Sequence, residues 1–109
     1  MLRLVRPQLV VFAIAMLLVA VHAQSGQREM NMRQLEMVFR PCIVNDRCPR
    51  GLSYDMLKEQ VPASYMLATY SAQFGGTPSA CDCDRSDDRC NRRCYYALYK
   101  SMLLGEPAE

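Results

Sequence analysis

Hydrophobic and polar positions divide the chain into four stretches. The first, Leu9 to Val21, carries no charge and is nearly all apolar, and Arg3 and Arg6 precede it. In the second, residues 29–40, Met32, Leu35, Val38 and Phe39 recur three or four apart, the spacing of one helix face. Arg40-Pro41 is expected to stop that helix, and Cys42 to Pro49 then reads as a short loop with a turn at Asn45-Asp46. Cys42 and Cys48 can close this loop on each other or reach the C-terminal cysteines.

The third stretch opens at Ser53, a suitable N-cap, with Asp55 in the first turn and a helix through Gln60. Pro62 breaks or kinks it, and a further helical turn or two follows with Tyr65, Met66, Thr69 and Tyr70. Residues 74–80, with Gly75-Gly76 and Pro78, read as a loop. In the fourth stretch Ser86 caps a helix whose first turn holds Asp87 and Asp88, with Arg89, Arg92 and Arg93 behind them. That order suits the helix dipole and sets Asp88 four residues ahead of Arg92. Cys90, Cys94, Ala97 or Leu98, and Ser101 share one side of this helix, while Tyr95, Tyr96, Tyr99, Met102 and Leu103 cover much of the rest. Gly105 is a natural C′ residue, with Pro107 just beyond. A helix apolar on more than one side is either central to a fold or an interface able to support dimerisation, and the central reading is favoured because a small disulfide domain needs every apolar face it has. No strand signal or internal repeat appears. The expected fold is a mostly α, small disulfide-rich domain of about three short helices.

The first stretch has the layout of a secretory signal peptide. Its charged start, its apolar run and the Val21-His22-Ala23 end place cleavage after Ala23. A spanning helix needs about 20 apolar residues, more than this run supplies, so stable membrane insertion is not expected. The domains are therefore read as 1–23, a signal peptide, and 24–109, a secreted six-cysteine domain.

Cleavage changes the chemistry of what remains. The formal charge of +2 rests on Arg3 and Arg6, so residues 24–109 carry 11 basic and 11 acidic groups. A neutral product gives no electrostatic footprint for nucleic acid and lacks the cationic character of an antimicrobial helix. His22, the only histidine, leaves as well. Nucleophile–base catalysis usually needs histidine, so an enzyme is not expected. Cys42, Cys48, Cys81, Cys83, Cys90 and Cys94 all stay, and an even number in a short exported chain reads as three bridges. Without histidine and on an oxidising route, zinc is the weaker reading of these cysteines. Asp82, Asp84, Asp87 and Asp88 are interleaved with arginines that neutralise them as a calcium site. No metal or cofactor is expected.

Between Cys81 and Cys94 the spacing is C-x-C, six residues, then C-x-x-x-C. Cysteines four apart on a helix share a face, and cysteines two apart on an extended segment also point the same way. This constellation resembles the cystine-stabilised helix of apamin-like bee toxins and of the endothelin and sarafotoxin peptides. The likeness covers 14 residues and departs in having six rather than seven residues between the pairs. The resemblance implies Cys81–Cys94 and Cys83–Cys90, and Cys42–Cys48 is favoured beside them. Cys81, Cys83, Asp84 and Cys90 are also similar to a helix segment of secreted phospholipases A2, in which Asp84 would orient the catalytic histidine. The mature chain has neither that histidine nor a glycine-rich calcium loop, which would make it an inactive relative.

The functional expectation is a secreted binding polypeptide, first of all a venom-type toxin acting on a receptor, ion channel or other extracellular protein. A one-piece cystine-rich hormone is the alternative. The single dibasic pair, Arg92-Arg93, lies between two cysteines, so processing there would open the helix. A matrix protein ranks lower because composition is not repetitive. Arg89, Arg92, Arg93, Tyr95, Tyr96 and Tyr99 are the candidate contact residues, arginine and tyrosine being enriched in interface hot spots.

Overall fold

The computed structural model describes residues 26–108, so the expected signal peptide, residues 1–23, lies outside the described residues. The chain divides into two units, Met1–Met30 and Asn31–Glu109. Of the first, residues 26–30 are described and are helical. Everything below concerns the second.

Residues 31–34 are helical and run into a π-wound turn, Leu35–Phe39, and then into α1, Arg40–Asn45. The expected stop at Arg40-Pro41 does not occur. A proline inside a regular helix lacks its N–H and its ring meets the carbonyl four residues back. Here the preceding turn is wound wide, with the Arg40 N–H donating to the Leu35 carbonyl. Pro41 thus falls in the first turn of a new α segment, where a missing N–H costs little. Cys42 and Ile43 are consequently buried helix residues rather than loop residues. The chain turns only at Asp46, which is left-handed (φ 58°), and the Arg47 N–H returns to the Pro41 carbonyl at 2.9 Å.

α2, Tyr54–Gln60, begins where Ser53 Oγ accepts from the Met56 N–H at 3.1 Å. It ends before Pro62, which then serves as the extended residue from which α3, Ala63–Phe74, starts. The turn or two expected here is a 12-residue helix, closed by Gly75 at φ 75°. A 3₁₀ turn, Ser79–Cys81, precedes α4, Asp88–Leu104. The cap of α4 is Asp87, not Ser86: its carboxylate accepts from the Cys90 N–H at 3.1 Å. Gly105, left-handed at φ 69°, ends the helix and donates to the Ser101 carbonyl at 2.8 Å.

Beyond the first helical segment, the described residues form four α-helices, with no strand among them. α4 packs against α1, α3 and the 3₁₀ turn, so it is the central helix. Ile43 of α1, Tyr54 and Leu57 of α2, Met66 and Tyr70 of α3, and Cys94, Tyr95 and Leu98 of α4 make one buried cluster. Three shorter helices reach it with one or two side chains each, and α4 alone sends three. The segment after α4 is held down by the Ala108 N–H, which donates to Tyr70 Oη at 3.1 Å, and by Ser101 Oγ, which donates to the Glu106 carbonyl.

Candidate functional site

Three disulfides organise the polar end of the fold. Cys42–Cys48 closes the turn after α1, while Cys81–Cys94 and Cys83–Cys90 fasten the segment ahead of α4 along that helix. Cys90 and Cys94 stand one turn apart, so one side of α4 carries both bonds. Asn91 ties the intervening loop as well, its side-chain amide donating to the carbonyls of Asp84 and Arg85 at 3.3 Å each. Asp82 and Asp84 are exposed in this loop, outside α4. Among the described residues no three His, Cys, Asp or Glu side chains converge on a common point.

The six candidate contact residues separate into four groups. Tyr95 is core: it is 1% exposed, donates its hydroxyl to the Val61 carbonyl at 2.7 Å, and meets the Tyr54 ring edge-on at 5.3 Å. It leaves the contact surface because it faces the junction of α2 and α3. Tyr96 and Tyr99 are half-buried ties between α4 and the π turn. Tyr96 donates to Glu36 Oε1 at 3.2 Å, and Tyr99 packs on Phe39 with ring centres 4.9 Å apart. Arg89 and Arg93 are exposed, one turn apart on α4.

Arg92 belongs to neither surface nor core. Its Nε donates to Asp88 at 3.0 Å, its Nη1 donates to the Ile43 carbonyl at 3.2 Å and reaches Asp46 at 3.5 Å, and its guanidinium lies 4.5 Å from the centre of the Tyr54 ring. One side chain therefore joins α1, α2 and α4. The two carboxylates are 80% and 77% exposed, so their loss is screened and contributes little. The Ile43 carbonyl and the Tyr54 face carry the weight. Arg92→Lys, which keeps the charge but not the planar fork, is expected to lower stability by about 1–2 kcal/mol in urea unfolding. Equal urea midpoints for the variant and the parent would contradict this role.

The electrostatics of the tyrosines follow from their positions. Burial, then the neighbouring Tyr99 and Tyr54, pushes Tyr95 up to about 12. Burial and the adjacent Glu36 push Tyr96 up to about 12. Burial also raises Tyr54 and Tyr99, with Arg92 opposing the rise at Tyr54. The Arg40 hydrogen bond holds Glu36 below the usual carboxylate range against a smaller desolvation effect. A phenol whose folded pKa exceeds its unfolded value of about 10 holds its proton better in the fold. Stability is therefore intact below about pH 10 and falls as pH rises toward 12, by about 2–3 kcal/mol for Tyr95. In an alkaline titration, late phenolate absorbance should appear together with loss of helical circular dichroism. Complete ionisation near pH 10 with the helices retained would refute it.

Two residues of this end were not legible in the sequence. Asp46 and Arg47 stand more than forty positions before α4 and come beside Arg92 only because the π turn carries the first helix past Pro41. Among the described residues no helix is long and apolar enough to cross a membrane. No family model matches the sequence. No curated protein and no solved structure shows a match to the chain.

Proposed function

We propose that the chain is a secreted, non-enzymatic polypeptide that acts by binding an extracellular protein, in the manner of a venom-type toxin on a receptor or ion channel. The observation that carries this reading is the doubly stapled start of α4. Two disulfides within 14 residues hold Arg89 and Arg93 outward on a rigid helix. Such bonds persist in oxidising, extracellular settings, and a rigid display lowers the entropy lost on binding. A small helical domain with three bridges is also the kind of chain that survives outside the cell without a large core.

The alternative of a one-piece hormone is favoured by one observation. Arg92 of the only dibasic pair is fastened to Ile43, Asp46 and Asp88, so the intact chain would be the active form. The test uses the full chain expressed through a secretory route and purified oxidised. Saturable binding to the surface of excitable or receptor-bearing cells is expected, and the reduced, alkylated protein should lose it. Altered membrane current would mark a toxin and a second-messenger response a hormone. Absence of saturable binding, or calcium-dependent hydrolysis of phospholipid vesicles, would overturn the reading.

A further inference from the structure

A groove of about 680 Å³ runs between the turn after α1 and the first turns of α4, lined by Val44–Arg47 and by Asp88, Arg89, Arg92 and Arg93. Four guanidinium groups and two carboxylates face it. Arg92 already engages both carboxylates. Arg47, Arg89 and Arg93 form no ion pair or side-chain hydrogen bond among the described residues. An excess of two positive charges is thus concentrated in one concavity. Apart from Arg3 and Arg6, the chain has equal numbers of acidic and basic residues.

The expected fit of charge to the helix dipole holds for Asp87 and Asp88 but not for Arg89, because the helix begins at Asp88 and Arg89 falls inside its first turn. It is the second residue of α4, where the helix dipole favours an anion and disfavours a cation. Both walls are covalently fixed, one by Cys42–Cys48 and the other by the two bonds to α4. The backbone that carries the arginines is therefore fixed before any ligand arrives.

We propose that this groove is a binding site for an acidic peptide segment of a partner protein, its carboxylates received by Arg47, Arg89 and Arg93. The proposal rests on the binding role proposed above and names the chemistry of the partner. Arginine is the side chain suited to carboxylates, which its planar fork meets with two parallel hydrogen bonds. The carboxylates of Asp46 and Asp88 favour a peptide over a sulfated glycan. They stay largely exposed, where the N–H groups of an extended peptide can donate to them between its own carboxylates. Toward a uniform polyanion the same two carboxylates are repulsive and interrupt the basic surface.

The test titrates the oxidised, secreted full chain with a fluorescent decapeptide of alternating glutamate and glycine. Its glutamine counterpart and a heparin-type sulfated oligosaccharide are the other arms. Saturable binding of the glutamate peptide is expected, weakening with added salt. A loss of about tenfold is expected for Arg47→Ala or Arg93→Ala and none for Arg33→Ala, an exposed arginine on the first helical segment. Arg89→Glu should abolish binding while melting at or above the parent temperature, because it places an anion at the helix start. That result separates a lost site from a lost fold. Equal binding of the glutamine peptide, an equal loss with Arg33→Ala, or binding of the sulfated oligosaccharide alone would overturn the groove assignment. Peptide binding without cell-surface binding would overturn the proposed function and leave the groove standing. Cell-surface binding that survives Arg89→Glu, with no peptide binding, would do the reverse.

Discussion

Tyr95→Ala is expected to remove about 3–5 kcal/mol of stability, the largest loss from any single substitution considered for this protein. A domain of this length has roughly 4–12 kcal/mol in total, so the variant should lose much or all of its cooperative unfolding transition. The magnitude follows from position. Tyr95 is the largest fully buried side chain, and its ring meets Tyr54 of α2 and Tyr99 of its own helix. Its hydroxyl reaches the Val61 carbonyl, where α2 ends and α3 has not begun. Truncation leaves a cavity at the meeting point of three helices, and no short helix can close it without losing its other contacts. Tyr95→Phe divides the effect. It keeps the ring and strands one carbonyl, so about 1–2 kcal/mol is expected. Urea unfolding of the two variants checks both figures. A contact residue on the surface would cost no more than about 0.5 kcal/mol, and that result for Tyr95→Ala would place the side chain outside the core.

Removal of the Cys81–Cys94 bridge should be the second largest effect, at about 3 kcal/mol. The three bridges span 13, 7 and 6 residues, and closure entropy rises with span. Cys81–Cys94 is the widest, and Cys94 is also a member of the buried cluster, so its loss removes packing as well as constraint. Alanine rather than serine is the appropriate replacement, because a hydroxyl in that cluster would need a partner. Cys83–Cys90 lies inside the same ring, so the two losses should not add. The order of urea midpoints for the three double-alanine variants is the measurement. A chain most damaged by loss of Cys42–Cys48 would show that the segment ahead of α4 contributes little to the fold.

Several helical boundaries were legible because they are local. Ser53 caps α2 with a side chain that reaches three residues ahead, and Gly105 ends α4 because it adopts a left-handed backbone cheaply. The helical class follows from the same signals repeated along the chain. The effect of Pro41 is not legible in the sequence because it depends on how the preceding turn is wound, and a π turn has no strong sequence signature. Asp87 displaced Ser86 as the cap of α4 by one position, an ambiguity that any run of short polar residues leaves open.

Within the candidate site, residue type pointed to arginines and tyrosines but not to their roles. On a helix apolar on several sides, no periodicity separates a buried tyrosine from an exposed one. Tyr95 and Tyr96 are neighbours in the sequence, and one belongs to the core while the other ties α4 to the π turn. Arg92 and Arg93 are neighbours as well, and one is consumed by three hydrogen-bond partners while the other lines the groove with no side-chain partner among the described residues.

By itself the sequence determined the helical class, the cysteine count, the charge balance and some local starts and stops, at Ser53 and Gly105 among them. These depend on side chains acting over three or four residues or on simple inventory. The tertiary structure alone decided that Tyr95 is buried, that Arg92 is spent on the fold, and that Arg47 stands opposite Arg89 and Arg93 across a groove. Each of these depends on where a distant segment comes to rest. That place is set by a proline absorbed into a widened turn and by three disulfide bonds.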